Sequence, residues 1–393
     1  MALDVAAIQS SLRASGLDGW LLYDFQGSNP IATRLVGLAD GRHMTTRRWY
    51  YLIPANGSPR ALVHAIERHN LDAVPGDRIL YAGRQQLDAG LDRLLAGMKR
   101  VAMEYSPLCA IPYVSRVDAG TAEAVKGRGV EILSSGDLVQ QFEAAWTAAQ
   151  LESHRQASAA LYRIKDRAFS ETASVLRRGQ AWSEFDLQQQ MVNWFADEGL
   201  VSDSPPVVAI GANAGNPHYL PDATTARSMV ADEVLLLDLW GKLDHPGAVF
   251  ADITWVGMTG RRVPDAVAKA FQAVADARDA AVRTVEDAAA TGHDLRGWEV
   301  DRACRAVLVE AGYGDHVLHR TGHSLGENVH GNGVHLDDYE THDERRILPG
   351  TGFTVEPGVY FETFGIRSEI NVFRAERTAL VTGPRQMEIV TLL

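Results

Sequence analysis

The stretch Val234-Leu235-Leu236-Leu237-Asp238-Leu239-Trp240 sets a carboxylate inside a run that is otherwise apolar. A short apolar run with polar flanks reads as a strand over 233–240, and whichever face it buries, Asp238 has apolar neighbours. A solitary buried carboxylate costs several kcal/mol and needs a positive partner. The same puzzle returns in Ala248-Val249-Phe250-Ala251-Asp252-Ile253-Thr254-Trp255-Val256, in Phe353-Thr354-Val355-Glu356 and in Glu369-Ile370-Asn371-Val372-Phe373. Any one of these acids could be answered by a core arginine. Four together exhaust the supply: Arg367 lies two residues from Glu369 on the same strand face, and no lysine or arginine accompanies the other three.

Divalent ions are the simplest answer. Oxygen-rich sites select hard or borderline ions, and an added imidazole moves the choice from magnesium toward manganese, cobalt, iron or zinc. Two such ions balance four carboxylates. The imidazole is expected from His319-Arg320-Thr321-Gly322-His323-Ser324-Leu325-Gly326-Glu327-Asn328-Val329-His330, where glycines let the backbone approach closely; His218, in Gly215-Asn216-Pro217-His218-Tyr219, is a further candidate. His335 and His342 read as surface residues. Gly322-His323-Ser324-Leu325-Gly326 also matches the nucleophile elbow of a serine hydrolase, but the acid and histidine that should follow are not there in the required order. Neither H-E-x-x-H nor a phosphate-binding G-K-[ST] loop occurs.

Working outward, the chain has 393 residues, 46% apolar and 22% charged, which is enough for two or more domains with ordinary cores. Its net charge of −12 repels phosphate backbones and anionic membranes, and Arg47-Arg48, Arg261-Arg262 and Arg345-Arg346 read as isolated pairs in solvated turns. No nucleic-acid or membrane partner is expected. The two cysteines, Cys109 and Cys304, make no disulfide framework and fit a reducing cytoplasm, the expected location. The N-terminal segment, carrying Asp4, reads as an amphipathic helix over 5–14 rather than a leader. Residues 1–143 alternate short strands and helices, with a hairpin turn at Asn56-Gly57, and form a small α/β domain. A long helix over 150–178, with Leu151, Ala157, Ala160, Leu161 and Ile164 on one face, opens an α+β domain over 144–393. Its strands are expected at 207–210, 233–240, 248–256, 352–361, 366–373 and 387–392, with helices after Pro264 and before Gly312.

LLLDLW (235–240), ADITW (251–255), HRTGHSLGENVH (319–330), TVEPGVY (354–360) and GIRSE (365–369) stand in one order along the chain. In these five motifs, within a resemblance that spans nearly the whole chain, the sequence resembles the metallopeptidase family of prolidase and aminopeptidase P. That family shares the pita-bread fold with methionine aminopeptidase and creatinase. The resemblance implies a pita-bread catalytic domain behind a creatinase-like N-terminal domain, and Asp238, Asp252, His323, Glu356 and Glu369 as ligands of two divalent ions, manganese first, with cobalt or zinc as alternatives. It implies that His218 and His330 hold substrate and assist proton transfer, with His319, Tyr360 and Arg367 supporting the substrate. Glu356 would relay a proton while a hydroxide bridging the ions attacks the Xaa-Pro bond of a small peptide. An Xaa-Pro dipeptidase, working as a homodimer whose first domain narrows access to a neighbouring site, is the expectation. An Xaa-Pro aminopeptidase taking longer peptides is the alternative, and a catalytically silent peptide- or protein-binding module is the reading from another class. Four departures bear on specificity: a longer loop around Lys242-Leu243-Asp244-His245-Pro246, Trp255 in place of an arginine, Ala251 in place of a serine, and Arg320 in place of a glycine.

Overall fold

The computed structural model describes residues 3–39 and 41–393. The chain forms two compact units, Met1–Glu143 and Ala144–Leu393. In the first, six strands make one sheet in the spatial order Asp77–Tyr81, Arg60–His64, Trp49–Pro54, Gly19–Asp24, Arg100–Met103, Glu131–Ser134. The middle strands run antiparallel and the outer ones add in parallel. Gly57, at φ +90°, makes the turn between Trp49–Pro54 and Arg60–His64 that the Asn-Gly pair predicts. The Gly19–Asp24 strand is buried on both sides, Trp20 and Leu22 against Ile8 and Leu12, Leu21 and Tyr23 against Leu87 and Leu91. Helices on both faces explain why it reads as a continuous apolar run instead of an alternating one.

The second unit opens with the helix Ala148–Arg178. Thr147 and Gln150 form its capping box, and Gly179 ends it in the left-handed conformation at φ +62°. Its buried face, Ala157, Leu161, Ile164 and Ala168, packs on Leu237, Leu239, Ala251 and Ile253 of the antiparallel strands Val234–Leu243 and Ala251–Met258. The opposite face of that pair, Val234, Leu236, Val256 and Met258, packs on the helix Asp265–Thr291. Each fully buried leucine contributes about 2 kcal/mol, so the pair is clamped from both sides. Asp238 and Asp252 belong to this second face, by the period of two along each strand and the register Thr254 to Asp238 and Asp252 to Trp240.

Several expected elements differ in detail. The strands over 352–361 and 366–373 are each interrupted, giving Gly352–Val355 with Ile370–Arg374 and, beyond the gap, Gly358–Tyr360 with Gly365–Arg367. Pro357 has no N–H to give to a ladder, and the gap holds Glu356 on one strand and Ser368-Glu369 on the other. The strand over 387–392 shrinks to Val390–Thr391, because Gln386 replaces its backbone: its amide accepts from Val256 N (3.0 Å) and donates to Val256 O (2.6 Å). The helices Pro30–Leu35 and Glu184–Asp197 carry no expectation from the sequence. His335 is fully buried, contrary to the surface placement, and its Nδ1 accepts from Ser324 N at 3.1 Å. Arg345 is not in a solvated turn either; it is buried in a 2.6 Å ion pair with Asp343. Cys109 is exposed and Cys304 buried, both free. No helix among the described residues is long and apolar enough to cross a membrane.

Candidate metal centre

The gap in the hairpin faces the Val234–Leu243 and Ala251–Met258 pair, and side chains dock the two. Asn371 mimics a strand neighbour of Asp252, accepting from its N–H at 2.9 Å and donating to its carbonyl at 2.6 Å. Glu369 N donates to Thr254 O at 3.2 Å. From the other side comes the segment with His323. Gly322 packs so closely on Gly352–Val355 that a Cβ would stand 2.1 Å from Thr354 O, and His323 N donates to Thr354 Oγ1 at 2.9 Å. These contacts bring ligand-type atoms of Asp252, His323 and Glu369 within 4.8 Å of one another, all three buried.

That trio fits a cation on three grounds. Asp252 Oδ1 and Glu369 Oε1 are buried oxygens with no hydrogen-bond donor among the described residues. Burial, reinforced by the neighbouring carboxylates, pushes the carboxyls of both well above the usual range, the strain that a bound cation removes. The His323 ring completes the argument: its Nδ1–H donates to Ser324 O at 3.2 Å, which leaves the Nε2 lone pair facing Asp252 Oδ2 at 3.6 Å and Glu356 Oε1 at 3.5 Å. Those separations are too long for good hydrogen bonds and suit donors that share an ion.

Asp238 corrects the reading of the sequence. Arg367 pairs with it, at 2.5 Å, and not with Glu369. The same guanidinium donates through Nε to Thr254 Oγ1 (2.9 Å) and through Nη1 to Tyr360 Oη (3.0 Å). Against the cost of burial, Asp238 holds the Arg367 pKa well above its usual value. With all four carboxyls ionised, the one guanidinium would leave three negative charges, more than a single divalent ion covers. Thr254 Oγ1, which sequence reasoning missed, stands 3.1 Å from Asp238 Oδ1 and 2.7 Å from Glu369 Oε2. A threonine inside a strand carries no sequence signal for such a role.

Glu356 lies at the edge of the trio, its Oε1 accepting from Thr354 Oγ1 at 3.1 Å. Burial works to raise its pKa, but the facing His323, His319 and Arg367 outweigh burial and leave it below the usual value. His319 donates from Nδ1 to Arg320 O (2.7 Å), so its Nε2 accepts from Tyr360 Oη at 2.6 Å. His330 lies against His323, their rings tilted by 57° with centroids 4.3 Å apart, and burial of its ring with the facing His323 pushes it down to about 4. The His218 side chain is exposed and reaches none of these groups through a hydrogen bond among the described residues. Its loop is nevertheless fixed by Glu184, a buried acid no sequence signal marks. Glu184 accepts from Ile210 N (2.7 Å), Asn213 Nδ2 (3.0 Å), Tyr219 Oη (2.5 Å) and Arg227 N (2.8 Å), on both sides of His218.

The departures in sequence resolve unequally. Trp255 points to the face away from the acids, stacked on by Lys165 at 3.8 Å and edge-on to Tyr162, so it does not enter the centre. Arg320 is turned toward Asp337 and Glu340.

The model of metallopeptidase family M24 matches residues 154–382. An Xaa-Pro dipeptidase from Lactobacillus delbrueckii subsp. lactis is 31% identical over 171 residues, 42% of this chain and 40% of the relative. A putative Xaa-Pro aminopeptidase from Mycoplasma pneumoniae is 25% identical over 185 residues, 44% of this chain and 47% of the relative. The chain thus spans about half the length of these relatives. The crystal structure of dipeptidase PepE from Mycobacterium ulcerans superposes with a TM-score of 0.70 over 99% of this chain and 96% of that one, at 23% identity, which shows a shared fold. With the motif-bearing residues inside the matched span and the two-unit architecture in common, the chain belongs to metallopeptidase family M24.

Proposed function

We propose that the protein hydrolyses the Xaa-Pro bond of small peptides, as an Xaa-Pro dipeptidase, with two divalent ions held by Asp238, Asp252, His323, Glu356 and Glu369. The observation that carries this reading is the buried trio Asp252, His323 and Glu369 with its two oxygens lacking donors. Manganese suits a set of carboxylates with one imidazole. When bound, such ions polarise a scissile carbonyl and lower the pKa of water.

The residues of the chain do the rest. Arg367 and Thr254 hold Asp238 in one orientation. Asn371 fixes the backbone of Asp252, and Ser324 O selects the His323 tautomer that leaves Nε2 open. Glu356, whose carboxyl titrates below its usual range and so stays ionised, takes a proton from the attacking water and hands it to the proline nitrogen as the C–N bond breaks. His330, neutral at physiological pH, and the Tyr360 and His319 pair supply hydrogen bonds to the substrate beside that path. An Xaa-Pro bond lacks the N–H that general peptidases grip, so shape and these polar groups select it.

The test is hydrolysis by manganese-reconstituted protein of an Xaa-Pro dipeptide, its C-terminal amide and an Xaa-Pro-Yaa tripeptide. The dipeptide is expected to be cleaved best. Equal or better cleavage of the tripeptide and the amide overturns the dipeptidase assignment in favour of the aminopeptidase.

A further inference from the structure

Trp240 links the centre to a carboxylate outside it. In the antiparallel register Trp240 lies opposite Asp252 and two residues from Asp238, so its ring leaves the sheet on the face that carries both acids. Its indole N–H donates to Asp203 Oδ1 at 2.7 Å. The placement of Asp203 is set from both ends: Val201 pairs with Lys242 and Val207 with Asp238, so the segment between them arches past residues 239–241. Asp203 is exposed, and among the described residues its second oxygen has no hydrogen-bond partner.

The other carboxylates on this face are committed. Asp238 holds Arg367, and Asp252, Glu356 and Glu369 line the metal centre. An enzyme that releases the first residue of a peptide must sense the free amine that distinguishes this residue from an internal one. We propose that Asp203, oriented by Trp240, binds the α-ammonium group of the substrate's first residue. This inference rests on the peptidase reading above.

Asp203→Asn tests it, because the amide oxygen still accepts from the Trp240 indole while the charge is gone. The probes are a non-hydrolysable ketomethylene isostere of an Xaa-Pro dipeptide and its counterpart lacking the α-amine, titrated calorimetrically into metal-loaded wild type, Asp203→Asn and Asp203→Glu. Loss of a charge-assisted contact should weaken the amine-bearing isostere about tenfold in Asp203→Asn, while the des-amino isostere changes less than about twofold. Asp203→Glu should recover part of the preference, and Xaa-Pro hydrolysis by Asp203→Asn should show a raised KM. Equal weakening of both isosteres, or a preference that persists in Asp203→Asn, overturns the inference while leaving the peptidase reading intact. A wild type that binds neither isostere and cleaves no Xaa-Pro peptide overturns the peptidase reading, and this inference with it.

Discussion

Two sets of buried acids in this chain are satisfied in opposite ways. In the first unit, Glu104 is fully buried, yet its carboxylate accepts from Trp20 Nε1 (2.7 Å), Ser135 Oγ (3.0 Å) and Asn29 Nδ2 (2.7 Å). Glu184 in the second unit is likewise buried and saturated by donors. Asp252 and Glu369 are as deeply buried, and each keeps an oxygen that no donor reaches. Burial of an acid therefore says little about function. Saturation separates a carboxylate that ties the fold together from one that waits for a cation, because an unmatched buried acceptor is costly unless something positive arrives.

Four experiments bear on this contrast. The largest effect should come from Asp252→Asn, measured as bound metal and as turnover of an Xaa-Pro dipeptide. Metal activation is worth several kcal/mol of barrier, so activity should fall by about three orders of magnitude together with metal content. Retained metal with full activity would break the assignment of the unsaturated acids.

Stability should then move in opposite directions for the two sets. Glu104→Ala leaves three buried donors without an acceptor, and urea denaturation should show a loss of about 3 kcal/mol or more. Glu369→Gln in the metal-free protein keeps an acceptor for Thr254 and removes a carboxyl that burial and its neighbours force to take up a proton on folding, so it should gain about 1 kcal/mol. Equal losses in both variants would erase the distinction.

Glu184→Gln should sharpen it further. An amide cannot accept from all the donors that converge there, so the loop with His218 loosens. A drop of about tenfold in kcat/KM is expected with metal content retained, because the resemblance gives His218 a role on substrate and none as a metal ligand. Lost metal would place Glu184 in the wrong set.

A pH dependence should come from His154, whose Nδ1 and Nε2 lie 2.8 Å from Phe250 O and 2.7 Å from Thr382 Oγ1. Burial lowers its pKa to about 4. The unfolded chain binds the proton at higher pH than the folded one. Its contribution is therefore complete above the unfolded value near 6.5 and is lost as pH falls toward 4, at up to about 1.4 kcal/mol per unit. Thermal unfolding of wild type and His154→Gln between pH 7.5 and about pH 5 measures it; a variant with the same slope as wild type would assign the dependence to other groups.

Much of this was legible along the chain. Acids embedded in apolar runs announced themselves because a strand repeats every two residues, whatever it packs against. The same period already sends Trp255, three residues from Asp252, to the opposite face. Helix ends at Thr147 and Gly179, and the turn at Gly57, follow from local backbone chemistry that neighbours in sequence control. Glu184 and Thr254 were silent, since a glutamate in the first turn of a helix and a threonine in a strand are ordinary in those places.

Partner choice was beyond the reach of that local pattern. The sequence offered Arg367 to Glu369, two residues away, but the interruption at Glu356-Pro357 and Ser368-Glu369 turns the guanidinium across to Asp238, 129 positions distant. His335 and Arg345 looked solvated until the segments around them folded over. Side-chain periodicity within one element is settled by its own residues, whereas which charge meets which depends on register and docking between elements far apart in sequence. The four embedded acids could be named from the residues themselves, whereas the choice of His323 among the neighbouring histidines came from the family resemblance. That two of the acids' oxygens would be left without donors, and so keep room for an ion, was decided only by tertiary packing.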